Sequence, residues 1–250
     1  MSKPLLQLSD VTKSFGGIEA LSALCCEVQQ GQIVGVIGPN GAGKTTLFNV
    51  ITGAYRANSG QVYLDQQPIT HWHPYRIARA GAVRTFQNIR LFSSMTVWEH
   101  LLVAQPSQGS LLRRALPIRW TGGAAIARAE EVLEFFGLED VRNQSARSLS
   151  YGTQRKVEMA RALTAGPKML LLDEPVAGMN HDEADEIRHL MLRLRDDGLT
   201  ILLIEHDMSF VMNLCDYLYV LDFGVLIAQG LPGEVRANPV VMDAYLGKEA

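Results

Sequence analysis

The stretch "IVGVIGPNGAGKTTLFNVITG", Ile33–Gly53, decides the fold. Its opening run, Ile33 to Ile37, is apolar and unbroken, as in a strand buried on both faces of a parallel sheet. "GPNGAGKTT" follows, and then the apolar helical pattern "LFNVITG". Between a strand and a helix, a loop this rich in glycine can turn its backbone N–H groups toward a phosphate chain. The helix points the positive end of its dipole at the same place. Gly38, Pro39, Asn40, Gly41, Ala42, Gly43, Lys44, Thr45 and Thr46 are therefore the candidate nucleotide-binding residues. Lys44 adds a point charge for the outer phosphates and Thr45 a hydroxyl for magnesium. An ammonium about 4 Å from a phosphate oxygen, at an effective dielectric near 20, gains roughly 4 kcal/mol. Chance is the competing explanation, since GxxxxGK[ST] should arise in about one random chain of this length in a hundred. The strand before the loop and the helix after it make chance a poor account.

Working outward, three more apolar runs predict parallel neighbours for that strand: "MLLLDE" from Met169, "TILLIEH" from Thr200 and "YLYVLD" from Tyr217. Between the first two of these, Ile187, Leu190, Met191 and Leu194 repeat at i, i+3, i+4 and i+7. Acids occupy the first turn and Gly198 stops the helix, which makes a βαβ unit. The first eighty or so residues alternate over shorter pieces, such as "QVYLDQQPI" after a Ser59-Gly60 turn, and predict an antiparallel layer. From about residue 88 to residue 165 the pattern becomes helical ("VWEHLLVA", "AAIARAEEVLEFFGL", "TQRKVEMARAL"). The expected organisation is one domain over residues 1–250, with a core from 1–87 and 166–250 and an inserted helical subdomain at 88–165. "QPSQGSLLRRALPIRWTGG", residues 105–123, reads as a solvated loop in preference to a membrane-facing patch. "LDFGVLIAQG" predicts a hairpin turning at Phe223-Gly224, followed by one last short helix. No internal repeat is visible.

The bulk properties narrow the class. With 250 residues, 47% hydrophobic and 20% charged, the chain is neither disordered, collagen-like nor a disulfide scaffold. A net charge of −3 supplies no basic field for a polyanion, so no nucleic-acid partner is expected. Cys25, Cys26 and Cys215 lack CxxC spacing and predict buried thiols in a reducing, cytoplasmic setting. "MSKPLLQLSDV" does not resemble a secretory leader, and no apolar run approaches the ~20 residues that span a bilayer. If the protein serves a membrane, it does so through partners.

"MLLLDEP" ends a buried strand on two acids, and Pro175 then forces the chain out of the sheet. The carboxyl ends of parallel strands face the crevice where ligands bind. Asp173 is suited to hold magnesium through a water. Glu174 is placed to orient and deprotonate an attacking water, a role typically worth about 10²- to 10⁴-fold. His206 closes the next strand on the same edge and could contact the γ-phosphate or that water.

Taken in order, "GPNGAGKTT", Gln87 in "RTFQNI", "LSYGTQ", "MLLLDEP" and "LLIEHD" resemble the ATP-binding cassette (ABC) ATPases over essentially the whole chain. The resemblance implies an α/β fold: a P-loop (RecA-like) parallel-sheet core with an antiparallel β subdomain and an inserted helical subdomain. It implies ATP and Mg2+ as cofactors and a head-to-tail dimer with a second cassette, of the same or a sister chain. In that dimer Ser150 and Gly152 of "LSYGTQ", the signature loop, cover the phosphates held by the other subunit. The physics agrees, because Ser150 and the N–H groups around Gly152 open the next predicted helix and form a second anion site. By position Gln87 is the switch glutamine that senses magnesium, and Phe15 is the aromatic that stacks on adenine, a contact worth ~1–3 kcal/mol. The sequence departs from the pattern at Tyr151, where a glycine is usual, and at Ala177 and Asn180, where Ser and Asp are usual.

"RTFQNIRLFSSMTVWEHLLVA", "YGTQRKVEMARAL" and the tail "GEVRANPVVMDAYLG" are similar to the ATPases of bacterial branched-chain amino acid importers. That likeness implies integral membrane permease subunits as partners, indirectly a periplasmic solute-binding protein, and a place on the cytoplasmic face of the inner membrane. A related cassette for urea, amides or lipopolysaccharide export, or a soluble cassette that moves no solute, is the alternative. A P-loop kinase or GTPase would leave "LSYGTQ" and His206 without roles.

Overall fold

In a computed structural model, which describes residues 3–85, 87, 89–105 and 123–246, the chain divides into two units. One unit combines Met1–Gln87 with Lys168–Ala250, and the other is Asn88–Pro167. The stretch 105–123 expected to be a loop lies almost wholly outside the described residues.

The first unit opens with the hairpin of β1 (Leu6–Phe15) and β2 (Ile18–Val28). β3 (Ile33–Ile37) is buried at every residue and feeds the glycine loop into α1 (Lys44–Ile51), which turns Leu47, Phe48, Val50 and Ile51 inward. β4 (Ser59–Leu64) and β5 (Gln67–Pro68) follow. Ser59 and Gly60 lie inside β4 and not in a turn before it, contrary to the sequence reading. Gly60 sits at φ 80°, where pairing with β1 shifts register between Ser9 and Thr12. A Cβ there would lie 2.2 Å from the Asp10 carbonyl oxygen, so the glycine marks a bulge. α2 (Pro74–Ala80) leads to β6 (Ala82–Arg84), a strand of three residues that is too short to show as an apolar run.

The second unit is helical. α3 (Val97–Val103), α4 (Gly123–Phe135) and α5 (Tyr151–Thr164) pack on one another around Val97, Leu101, Ala129, Val132, Leu133 and Val157. Thr96 and Glu99 start α3 with a reciprocal capping box.

The chain then returns to the first unit with β7 (Met169–Asp173), α6 (His181–Asp196), β8 (Thr200–Ile204), α7 (Met208–Leu214), β9 (Tyr217–Asp222) and β10 (Val225–Gly230). Two helices, α8 (Pro232–Arg236) and α9 (Pro239–Leu246), stand where one was expected. The break falls at Asn238-Pro239, because proline cannot continue α8. The antiparallel sheet runs β2-β1-β4-β5 and the larger sheet β10-β9-β3-β8-β7-β6, all parallel except β10. Both sheets and α1 share one core, in which Leu6, Leu8 and Leu21 meet Val34, Phe48 and Leu202. Of the three cysteines, Cys26 and Cys215 are buried as predicted, but Cys25 is exposed. It sits next to Cys26 on β2, and side chains alternate faces along a strand.

Candidate active site

β3, β8 and β7 lie side by side, with Val36 opposite Ile204 and Ile204 opposite Asp173. The glycine loop, Asp173-Glu174 and Glu205-His206 therefore leave the sheet along one edge, at the carboxyl ends where an open parallel sheet forms its crevice.

Gly38 starts the loop at φ 148°, and a Cβ there would lie 2.0 Å from the Leu221 carbonyl oxygen, so only glycine fits. The tip of the β9–β10 hairpin holds the other end: Gly224 N–H donates to the Ala42 carbonyl at 2.9 Å. Phe223 and Gly224 both take positive φ, 43° and 79°, as a two-residue hairpin turn requires. Gly43 caps α1 at φ 100° with no side-chain cap, which leaves the helix's first N–H groups for an incoming anion. Lys44 is buried, and its Nζ donates to the carbonyls of Gly38 at 2.6 Å and Pro39 at 2.9 Å. The ammonium thus holds neutral acceptors that phosphate oxygens, as charged acceptors, can outcompete. Asn40, Gly41 and Thr45 are exposed, and Thr46 is half-buried.

Asp173 is nearly buried, and its Oδ2 accepts from Arg84 Nη2 at 2.5 Å. Arg84 Nη1 also donates to Asn49 Oδ1 at 2.7 Å, so β6 reaches across to both β7 and α1. Sequence reasoning missed Arg84. Its importance depends on β6 lying beside β7, a pairing that no local pattern announces.

Glu174 has φ 47°, a conformation uncommon outside glycine and concentrated at functional sites. Its N–H bonds the Ile204 carbonyl at 2.9 Å, which holds the residue against the end of β8. Gln87 Nε2 donates to Glu174 Oε2 at 2.7 Å, and His206 Nδ1 stands 3.9 Å from the same oxygen. The structure therefore brings Gln87, Glu174 and His206 together, although the first is far from the other two in sequence. Glu205, also missed, is fully buried and accepts from Val176 N at 3.2 Å and His206 N at 3.0 Å. Burial pushes its carboxyl above the usual range, and those backbone donors offset part of the rise. Phe15 stands half-exposed at the end of β1, edge-on to Tyr55 with centroids 5.2 Å apart, and Lys13 Nζ lies 4.7 Å over its ring. Tyr55 is a second aromatic that the sequence reading passed over.

In the second unit, Ser150 caps α5. Its Oγ accepts from Thr153 N at 3.3 Å and lies 2.9 Å from Thr153 Oγ1. Gly152 is buried one residue inside the helix. Tyr151 is exposed, and its hydroxyl accepts from Arg155 Nη2 at 3.3 Å, so the side chain that replaces a glycine lies along its own helix. Arg155 in turn pairs with Glu158 at 2.8 Å, both buried. In the first unit, Asn180 is explained locally. Its Oδ1 accepts from Glu183 N at 3.0 Å and Glu183 Oε2 accepts from Asn180 N at 3.2 Å, a capping box that starts α6.

A glycine loop with a buried lysine, beside strand-end carboxylates, defines a P-loop nucleotide hydrolase. The family profile for the ABC transporter matches residues 21–177, and one for the branched-chain amino acid ATP-binding cassette transporter matches residues 225–250. The chain belongs to the ABC transporter family and is an ATPase of that family. It is 43% identical to the high-affinity branched-chain amino acid transport ATP-binding protein BraF of Pseudomonas aeruginosa, over 99% of this chain and 100% of that protein. It is 44% identical, with the same coverage, to the corresponding protein LivG of Escherichia coli. Among solved structures, the ADP conformation of MJ1267, an ATP-binding cassette of an ABC transporter, superposes with a TM-score of 0.88. It is 36% identical, over 99% of this chain and 100% of that one. A dimeric post-hydrolysis cassette, MJ0796 bound to ADP and phosphate, gives 0.76 at 25% identity, over 91% and 98%. The fold is that of the ABC ATPases, as the motif order implied.

Proposed function

We propose that this chain is the ATP-hydrolysing subunit of a branched-chain amino acid importer, and that it works as one of two cassettes closing around ATP. The hydrogen bond between Gln87 and Glu174 carries this reading. It ties the candidate base to a glutamine whose amide oxygen is a donor magnesium can use, so the residues read as base and switch act at one point. Full-length likeness to BraF and LivG supplies the solute class. Integral membrane permease subunits, indirectly a periplasmic solute-binding protein, and a second cassette complete the machine, with this chain peripheral on the cytoplasmic face of the inner membrane. No helix among the described residues is long and apolar enough to cross a membrane.

In this reading the loop from Gly38 to Thr46 binds the phosphates, Lys44 shifting from the Gly38 and Pro39 carbonyls onto phosphate oxygens. Phe15 stacks on adenine. Glu174 takes the proton of the attacking water and His206 orients it. The Thr45 hydroxyl, Asp173 and the Gln87 amide oxygen are hard oxygen donors of the kind magnesium prefers, and they are few, as suits a cation that keeps waters and shares phosphates. Magnesium supplies charge neutralisation on those phosphates. Ser150 and the N–H groups at the start of α5 form the second anion site, facing the γ-phosphate bound to the other cassette. ATP favours closure because only its γ-phosphate reaches that site, so hydrolysis reverses the preference.

With Glu174→Gln and ATP, the protein is expected to elute from gel filtration as a dimer and to separate when ATP is removed. A variant that stays monomeric at every ATP concentration would refute closure around the nucleotide.

A further inference from the structure

Glu205 follows β8 with its side chain fully buried, shut off from any substrate. Burying a carboxylate is costly unless its oxygens are used. Here both are: Oε1 accepts from Val176 N–H at 3.2 Å and Oε2 from His206 N–H at 3.0 Å. A carboxylate can accept at both oxygens, whereas an amide in its place offers one acceptor and one donor group. The two backbone donors belong to the two segments that carry Glu174 and His206.

Glu174 needs such support. Its φ of 47° is strained for a residue with a side chain, and a strained residue persists only where the surrounding structure over-determines it. On one side, its own N–H bonds the Ile204 carbonyl at 2.9 Å. Pro175 comes next and has no N–H to give. The following amide, that of Val176, is the one Glu205 holds. Ile204 and Glu205 therefore fix the main chain at the candidate base and just beyond it. The same carboxylate fixes the main chain of His206, whose Nδ1 lies 3.9 Å from Glu174 Oε2 and 3.7 Å from Glu205 Oε2.

We propose that Glu205 is a positioning residue for hydrolysis, whose buried carboxylate fixes the main chains of Glu174 and His206 relative to one another so that both side chains address the same water. The inference rests on the reading of Glu174 as the base and His206 as its companion. Glu205 acts through those two residues and not on the nucleotide. Misplacing a reacting group by about 1 Å can cost about 10²-fold in rate. Loosening this strap therefore lowers turnover, while the phosphate loop, and with it nucleotide affinity, stays as it was.

Glu205→Gln in the full chain tests this, because it keeps the size of the side chain and replaces one of its two acceptors with a donor. Its kcat for ATP is expected to fall about ten- to a hundredfold, with KM for MgATP and the calorimetric Kd for MgADP within about twofold of the wild type. A carboxylate that serves stability alone would lower Tm and leave the kcat of the folded protein unchanged, which overturns the proposal. A loss of MgADP affinity as large as the loss of kcat would place the damage in the phosphate loop and overturn it too. Amide hydrogen exchange in the wild type gives a reading that does not depend on the variant folding. The N–H groups of Val176 and His206 should exchange as slowly as those of β8, and exchange at the rate of an open loop at either position overturns the strap. Glu174→Gln separates the two levels. If it hydrolyses ATP like the wild type, the base is misassigned and the inference falls with it. If it is inactive while Glu205→Gln turns over at the wild-type rate, this inference alone is wrong.

Discussion

Arg84 and Asp173 show what a single residue contributes when its partner comes from another strand. Both side chains are nearly buried, and the guanidinium is shared between the Asp173 carboxylate and Asn49 on α1. Removing one member of a buried pair strands the other's charge, at a cost of about 3–5 kcal/mol. Arg84→Met is therefore expected to lower the urea midpoint by that order, and Arg84→Met with Asp173→Asn to recover much of the loss. Equal stability of Arg84→Met and wild type would show that the pair is not what holds β6 to β7. At the same scale Glu174, Lys44, Thr45 and Asp173 were legible from type and spacing alone, because each follows a recognisable strand or loop. Arg84 and Glu205 were not, because their environments come from residues distant in the chain.

α3 carries a pH dependence of its own. His100 is fully buried, its Nε2 accepts from Phe92 N–H at 2.9 Å and its Nδ1 lies 2.8 Å from the Thr96 carbonyl, so the neutral ring satisfies both neighbours. Burial holds its pKa below the ordinary value. The Thr96 carbonyl opposes that, Arg161 lowers the pKa further and Glu99 raises it. A histidine depressed in the folded state contributes stability above its unfolded pKa of about 6.5, and that stability is lost as pH falls through the lower folded value. Denaturation between pH 8 and pH 5 is expected to show stability falling on the acid side, with a slope of at most ~1.4 kcal/mol per pH unit from this group. His100→Gln should flatten that slope, and an unchanged slope would move the titration to another residue. Two departures from the family pattern also resolve at this scale: Asn180 starts α6 and Tyr151 lies along α5, both served within their own helices. Their helices were legible from periodicity and caps. β6, the bulge at Gly60 and the break between α8 and α9 were not, since pairing and a single proline decided them.

For the molecule as a whole, the ATPase core and the solute proposed for it are separate questions, because the phosphate loop and the strand-end acids serve nucleotide chemistry that is the same whichever solute is moved. The substrate class therefore needs the assembled transporter. Reconstituted with its permease and with a leucine-loaded solute-binding protein, the complex is expected to hydrolyse ATP several-fold faster than with the unloaded protein. Stimulation by a urea-loaded protein and none by leucine would move the chain to a different solute while leaving the cassette chemistry intact. Copurification with polytopic membrane proteins would separate either case from a cassette that moves nothing.

From the sequence alone came the phosphate loop, the strand-end acids, the parallel core strands and the helical insertion. These depend on contacts within a few residues, where backbone freedom, periodicity and helix dipoles act directly. Only the tertiary structure placed Gln87 on Glu174, Arg84 on Asp173 and Cys25 in solvent. Strand order and chain return brought those groups together, and a linear pattern carries no record of which distant strands become neighbours.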